Sequence, residues 1–152
     1  MSNGTNGNGP RPPLLSPGRR MTVYAMGGGV WFTGAVWLVL NNFLMREGPF
    51  GAEPHPLEFW SLAAHGAFGF AALFVCGLVW GVHVVAGWNS RRRRWTGSLT
   101  FGLFAWLILS GYLLYYLGDD RLIALTRLGH WLLGLAAPLL FLVHRQIGRA
   151  HV

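Results

Sequence analysis

Four long apolar runs dominate the pattern of hydrophobic and polar positions along this chain, and short polar segments rich in Gly, Pro, Arg, Asp and Glu separate them. A helix needs about 20 predominantly apolar residues to cross a bilayer, and each of the four runs reaches that length. The sequence therefore predicts transmembrane helices at about residues 23–45, 59–86, 95–117 and 122–143.

The segment before the first run has no hydrophobic period. Residues 1–20 are rich in Gly, Asn and Pro, a composition typical of disordered chain. The first apolar run is too long for the apolar region of a signal peptide, which indicates an uncleaved helix. We expect a disordered tail over residues 1–20 and one all-α membrane domain over residues 21–149, folded as a four-helix transmembrane bundle.

The arginines are distributed unequally about the predicted helices. Nine of the twelve fall on the side of the two termini: Arg11, Arg19, Arg20, Arg91, Arg92, Arg93, Arg94, Arg145 and Arg149. The other three, together with all five acidic residues, fall on the opposite side. Because cytoplasmic loops of membrane proteins are rich in Lys and Arg, both termini are predicted to be cytoplasmic, and the predicted location is the bacterial cytoplasmic membrane.

The net charge of +7 and the single cysteine, Cys76, restrict the function classes further. The basic residues lie at predicted membrane boundaries, so membrane lipid is the expected partner and nucleic acid is not. No Cys-x-x-Cys-His sequence occurs, which excludes covalent attachment of a c-type haem.

Two histidine pairs lie inside the apolar runs at helical spacing. His65 and His83 are 18 residues apart in the second run, and His130 and His144 are 14 apart in the fourth. At about 100° per residue, the members of each pair share roughly one face of their helix. In the predicted topology the two helices run parallel, so His65 lies level with His130 near the outer membrane face, and His83 with His144 near the inner face.

A short repeat accompanies the outer histidines. His65 and His130 each begin an H-x-x-x-G-x-A-A sequence, and Gly69 and Gly134 would make room for a flat macrocycle one turn further on. The repeat does not extend to the inner pair, since the counterpart of His144 would be Val79. The axial rise is therefore about 27 Å from His65 to His83 and about 21 Å from His130 to His144. A kink at Pro138 is one way to absorb the difference.

The layered histidines indicate two b-type haems, each held by one imidazole from each of two helices. Ionisable groups inside spanning helices are costly and are usually functional. Three other interpretations remain open: hydrogen bonding across a helix interface, a non-haem metal site and a proton relay. The last two usually also recruit acidic or thiolate side chains.

Five polar residues outside the quartet are further candidates. Arg127 lies one turn before His130 and is a candidate partner of an outer haem propionate, while Arg94 and Arg145 are candidates on the inner side. All three also suit a role as membrane-boundary arginines. His55, with Glu58, is a candidate for a quinone pocket at the outer surface, or an ordinary loop histidine.

Over roughly residues 23–149 the chain resembles transmembrane di-haem cytochromes of b type. The resemblance rests on the four apolar runs, the H-x-x-x-G sequences at His65 and His130, and the second histidines His83 and His144. That group includes the four-helix cytochrome b subunits of bacterial hydrogenases and formate dehydrogenases and the small flavinylation-associated cytochromes. The resemblance implies that the four histidines are axial ligands of two haems, which relay electrons between a quinone pool and a partner redox subunit.

The expected function is therefore that of an electron-transfer subunit of an oxidoreductase complex rather than of an enzyme alone. The expected cofactors are two haem b groups, with a quinone as a further candidate ligand. The alternatives are a membrane anchor or assembly subunit of a respiratory complex, and a transporter of haem or metal.

Overall fold

The computed structural model describes residues 16–89 and 94–147. The greater part of the predicted tail, residues 1–15, lies outside this range, as do Arg91, Arg92, Arg93, Arg149 and His151. Within the described part of the chain, four helices are long and apolar enough to span a membrane: Pro17–Phe43, Leu57–Asn89, Arg94–Tyr116 and Asp120–Gln146. The chain is thus a multi-pass membrane protein with an all-α bundle, as the sequence predicts.

The first span is helix α1, Pro17–Phe43. It begins six residues before the predicted start, so residues 17–20 are helical and do not belong to a tail. Local signals explain the early start: the Ser16 hydroxyl accepts a hydrogen bond from the Arg19 backbone N–H at 3.4 Å, and Pro17 occupies the first helical position, where its missing N–H costs nothing.

A short β-hairpin follows α1 in a loop for which the sequence predicts no regular structure. Strands β1, Arg46–Gly48, and β2, Gly51–Glu53, pair antiparallel. Gly51 has a φ of +117°, which glycine adopts without the steric cost that other residues incur. This hairpin is the exception to the all-α prediction within the described residues.

The second span has three parts. Helix α2 covers Leu57–Val79, a π-helical turn covers Trp80–Val85, and helix α3 covers Ala86–Asn89. A π turn holds more residues than an α turn, so the residues in it lag behind the α-helical phase and advance less along the axis. His83 lies within this turn, which the sequence does not predict.

The third and fourth spans form a second pair of helices. Helix α4 covers Arg94–Tyr116 and helix α5 covers Asp120–Ile147. The Asp119 carboxylate caps α5 by accepting a hydrogen bond from the Leu122 backbone N–H at 2.8 Å, a stabilising contact at a helix N-terminus. Helix α5 runs through Pro138 without interruption.

The helices form two antiparallel pairs. Helix α1 packs along α2, and α4 packs along α5. The pairs meet where Tyr24 of α1 contacts Phe141 of α5 at a ring-centroid distance of 5.8 Å, and where Trp80 contacts Phe101 of α4 at 5.5 Å. Helices α2 and α5 have no comparable backbone contact, but the ring centroids of His65 and His130 lie 6.2 Å apart, so the two helices face each other across the bundle.

Most apolar side chains of the bundle point outward. Among the described residues, only Leu40, Val79 and Ser110 are buried. Large apolar residues such as Phe70, at 79% exposed, and Leu139, at 68%, lie on the spanning helices. This arrangement suits a chain whose solvent is lipid, because lipid tails are as apolar as the side chains that they meet.

Candidate functional site

The four histidines of the apolar runs come together as two facing pairs. The rings of His65 and His130 have centroids 6.2 Å apart, with their planes at 83°. The rings of His83 and His144 have centroids 6.3 Å apart, with their planes at 88°. The pairing is the one that the sequence predicts. We call the first the loop-end pair, because it lies toward the β-hairpin, and the second the terminus-end pair.

The members of each pair are not hydrogen-bonded to each other. Ring atoms lie about 1.15 Å from an imidazole centroid, so at 6.2 Å the His65 and His130 rings approach no closer than about 3.9 Å, beyond hydrogen-bond range. The same holds for His83 and His144 at 6.3 Å. Each pair therefore leaves a gap between its two rings in which one metal ion, bonded to a nitrogen of each ring, would fit.

Backbone and hydroxyl groups on α1 fix the orientation of the His65 ring. Its Nδ1 lies 2.9 Å from the Val30 carbonyl oxygen and 3.5 Å from the Thr33 hydroxyl. A carbonyl oxygen only accepts hydrogen bonds, so Nδ1 carries the proton and donates it. In the neutral imidazole the lone pair is then on Nε2, the state that binds a metal.

A serine on α4 does the same for His130. The Ser110 hydroxyl donates to the Trp106 carbonyl at 2.7 Å, and its oxygen lies 2.9 Å from His130 Nδ1. The single hydroxyl proton is already engaged, so the oxygen accepts from Nδ1–H. Ser110 is 0% exposed, and this network satisfies a buried polar group inside an apolar helix.

The terminus-end pair is held differently. His144 Nδ1 lies 3.3 Å from the Thr96 hydroxyl of α4. His83 lies on the π turn and is exposed. A π turn advances less along the axis than an α-helical stretch of the same number of residues, which shortens the rise from His65 to His83 toward that from His130 to His144. The π turn thus offsets part of the unequal spacing of 18 and 14 residues.

Two glycines on the outer helices admit the loop-end rings. A Cβ atom at Gly34 would lie 2.9 Å from His65 Cε1, and one at Gly111 would lie 3.4 Å from His130 Cε1. The predicted macrocycle glycines differ from these. Gly69 has nothing within 4 Å of its Cβ position, and Gly134 has only Leu107 at 3.8 Å, so both positions are open and neither contacts a histidine.

The predicted propionate partners have other contacts. The Arg94 side chain donates to the Trp88 carbonyl at 3.2 Å and its guanidinium lies 5.1 Å from the Trp88 ring centroid. Arg145 lies over the Tyr24 ring at 5.3 Å. Arg127 is exposed on α5. These contacts suit arginines at a membrane boundary, and a role toward a propionate remains a prediction for all three.

His55 and Glu58 line one cavity at the loop end, of about 420 Å³, together with Trp37, Pro54, Pro56, Phe59 and Leu62. Glu58 accepts a hydrogen bond from Asn41 at 2.8 Å. His55 Nδ1 accepts one from the Leu57 backbone N–H at 3.2 Å. The structure thus brings together the two residues that the sequence links to a quinone pocket.

The arrangement of the four histidines suits an iron porphyrin. An iron about 2.0 Å from each nitrogen separates two imidazole centroids by about 6.3 Å, and the observed separations are 6.2 Å and 6.3 Å. Within the described residues, no group of three or more His, Cys, Asp or Glu side chains is close enough to hold a metal ion. Two imidazoles at each level are the number of protein ligands that a six-coordinate haem would take, because the porphyrin supplies the other four.

Sequence reasoning missed the residues that orient the histidines, namely Val30, Thr33, Thr96 and Ser110. A usable signal exists for three of them, because each hydroxyl residue precedes a glycine inside an apolar run: Thr33–Gly34, Thr96–Gly97 and Ser110–Gly111. No signal marks Val30, since its carbonyl is common to every residue.

Compared with known proteins, the chain matches no family model, no curated protein and no solved structure.

Proposed function

We propose that this protein is a membrane cytochrome that carries two b-type haems and moves electrons across the bilayer. His65 and His130 hold one haem, and His83 and His144 hold the other. The observation that carries the proposal is the paired geometry, with two levels of facing imidazoles at nearly the same separation. Two strong ligands saturate each iron, which favours electron transfer over oxygen chemistry and over transport of a labile metal.

The tautomers at the loop-end pair support the same interpretation. Both Nδ1 atoms donate to oxygen acceptors, so in the neutral imidazoles both Nε2 atoms carry lone pairs. Two lone pairs that face each other across a gap of this size would bind an electrophile placed between them. A proton relay would instead need a proton on at least one of the two Nε2 atoms. Ferric or ferrous iron is such an electrophile.

The chain orients the haems through its two helix pairs. Each pair contributes one histidine helix, α2 or α5, and one outer helix whose groups fix the imidazoles. A bound haem supplies one-electron redox chemistry. The protein supplies its ligands, an apolar surround and two levels separated by roughly 20 Å along the helices.

The proposal places the protein in the bacterial cytoplasmic membrane, with both termini cytoplasmic and the β-hairpin loop on the outer side. There it relays electrons between a quinone pool and a partner redox protein as one subunit of a respiratory complex. The charge distribution supports this orientation, because all five acidic residues lie toward the loop end.

We further propose that the cavity at the loop end receives the quinone headgroup. His55 accepts at Nδ1, so its Nε2 is the nitrogen able to donate to a quinone oxygen. Glu58 is a carboxylate able to accept a proton. Seven residues, or about 10 Å of helix, separate Glu58 from His65.

Replacement of Glu58 by Gln should slow haem reduction by a soluble quinol while dithionite still reduces both haems, and Glu53→Gln in β2 is the matched control. Equal quinol rates in both variants would exclude this cavity.

Histidine replacements test the haem assignment. His65→Ala and His83→Ala should each yield purified protein with one haem in place of two, with the remaining centre spectrally intact. His151→Ala, which lies beyond the fourth apolar run, should retain both. The assignment is wrong if His65→Ala and His83→Ala both keep two haems.

A further inference from the structure

Three of the four histidines contact the same two-residue unit on a neighbouring helix. In each case a hydroxyl residue lies near the imidazole Nδ1 and the glycine that follows it lies beside Cε1. The three units are Thr33–Gly34 for His65, Ser110–Gly111 for His130 and Thr96–Gly97 for His144. We call each of these units a ligand seat.

The hydroxyl groups of the two loop-end seats have their protons engaged within their own helices. Thr33 donates to the Gly29 carbonyl at 2.6 Å, and Ser110 donates to the Trp106 carbonyl at 2.7 Å. Both are bonds to the residue four positions earlier, a common arrangement for Ser and Thr in apolar helices. The Ser110 oxygen therefore faces His130 as an acceptor, whereas at His65 the nearer acceptor is the Val30 carbonyl at 2.9 Å and the Thr33 oxygen lies at 3.5 Å.

The glycine of each seat lies beside the ring, and at Gly34 a Cβ atom would obstruct it. The Cβ position of Gly34 is 2.9 Å from His65 Cε1 and 3.0 Å from Nδ1, closer than ordinary packing allows. The Cβ positions of Gly111 and Gly97 are 3.4 Å and 4.0 Å from Cε1 of His130 and His144. The seat thus combines an acceptor for Nδ1–H with room for the ring.

The spacing of the seats on α4 matches the spacing of the histidines on α5. Thr96 and Ser110 are 14 residues apart, and so are His130 and His144. Because α4 and α5 are antiparallel neighbours, equal spacings bring both seats level with their histidines. Packing alone does not require a hydroxyl here, since Ser110 is fully buried and an apolar residue at this position would avoid the cost of burying a polar group.

We propose that the ligand seats set the tautomer and the basicity of the haem ligands, and that Ser110 is the positioning residue for His130. This inference rests on the proposed function. A group that accepts a hydrogen bond from a metal-bound histidine makes the imidazole a stronger ligand. A stronger ligand favours ferric over ferrous iron, so the seat lowers the potential of its haem.

The two haems differ in their seats. Both histidines of the loop-end pair have one, whereas in the terminus-end pair His144 has one and His83, on the π turn, contacts none among the described residues. The loop-end haem is therefore the more firmly held of the two.

The test replaces Ser110 in the full chain with both haems bound. Ser110→Ala removes the acceptor, and it should weaken the affinity for one haem by about 10- to 100-fold, as loss of such partners does at other metal sites. The midpoint potential of that centre should rise, while the other centre keeps its potential. The affected centre should be the one that His130→Ala removes. Ser110→Thr, which restores a hydroxyl, should recover the original potential.

Ser98→Ala is the matched control, since Ser98 is exposed on the same helix. If the unmodified chain carries two haems but Ser110→Ala changes neither occupancy nor potential, the seat inference is wrong and the haem proposal stands. If the unmodified chain binds no haem, the proposed function fails, and ¹⁵N spectra of the histidines still decide the seat. His130 should then be protonated at Nδ1 in the unmodified chain and lose that preference in Ser110→Ala; unchanged spectra would overturn the inference.

Discussion

The imidazole of His65 is held on two sides by α1, and a single atom at Gly34 would disturb it. The Val30 carbonyl accepts from Nδ1 at 2.9 Å, while the Gly34 backbone lies beside Cε1. Of these three residues, the sequence identifies the histidine, because an imidazole inside an apolar run is unusual. The Val30 contact depends on how α1 packs against α2, and no local pattern encodes it.

Gly34→Ala should therefore damage the loop-end haem site. The new methyl group would lie 2.9 Å from His65 Cε1, so the ring must move, at a cost of about 1–3 kcal/mol typical of overpacking. We expect the affinity for one haem to fall by about tenfold or more, measured by haem titration of the purified protein.

Gly28→Ala is the control for this substitution. The Cβ position of Gly28 has nothing within 4 Å, so the added methyl group meets no neighbour and both haem affinities should be unchanged. Equal affinities in Gly34→Ala and Gly28→Ala would show that the loop-end ring does not depend on the close approach of α1.

Among the elements, the second span departs furthest from what its sequence predicts. The hydrophobic run locates the helix to within a few residues at its start, but the run does not reveal the π turn over Trp80–Val85. Periodicity measures the mean spacing of apolar residues, and a single wide turn hardly changes that mean. The β-hairpin over residues 46–53 was missed for a related reason, since its strands have three residues each.

Under the proposed haem assignment the ligand position is 83, which lies in the π turn, and not position 79. The repeat with α5 would place the second histidine at Val79, which is buried within the α-helical part of the span. The double variant Val79→His with His83→Ala should therefore contain one haem per chain, as His83→Ala alone does. Haem content of the purified variants is the measurement. Recovery of two haems in the double variant would mean that the α-helical register sets the ligand position.

At the scale of the whole molecule, the sequence predicts the number of spans, their order and the pairing of the histidines. Hydropathy determines the number and the order of the spans. Helices α2 and α5 run parallel because they are the second and the fourth of four successive membrane crossings. The histidines predict that α2 and α5 face each other, but the sequence does not predict which helices pack side by side. The helices that pack side by side are α1 with α2 and α4 with α5, and no local sequence pattern encodes that choice.

The orientation of the bundle is open to direct measurement. In the topology predicted from the sequence, nine of the twelve arginines fall on the side of the termini, so positive charge should hold that side in the cytoplasm. A fluorescent protein fused to the C-terminus should fluoresce, and alkaline phosphatase inserted after Phe50 should be active. The reverse pattern, with an inactive phosphatase and a dark C-terminal fusion, would invert the proposed direction of the two haem levels.

The haem content of the chain is the most direct test of the proposal that four histidines at two levels bind two haems. Protein purified from haem-replete cells should give a b-type pyridine haemochrome spectrum with two haems per polypeptide, and the reduced form should show b-type absorption. A colourless preparation that is stably folded would contradict the haem assignment.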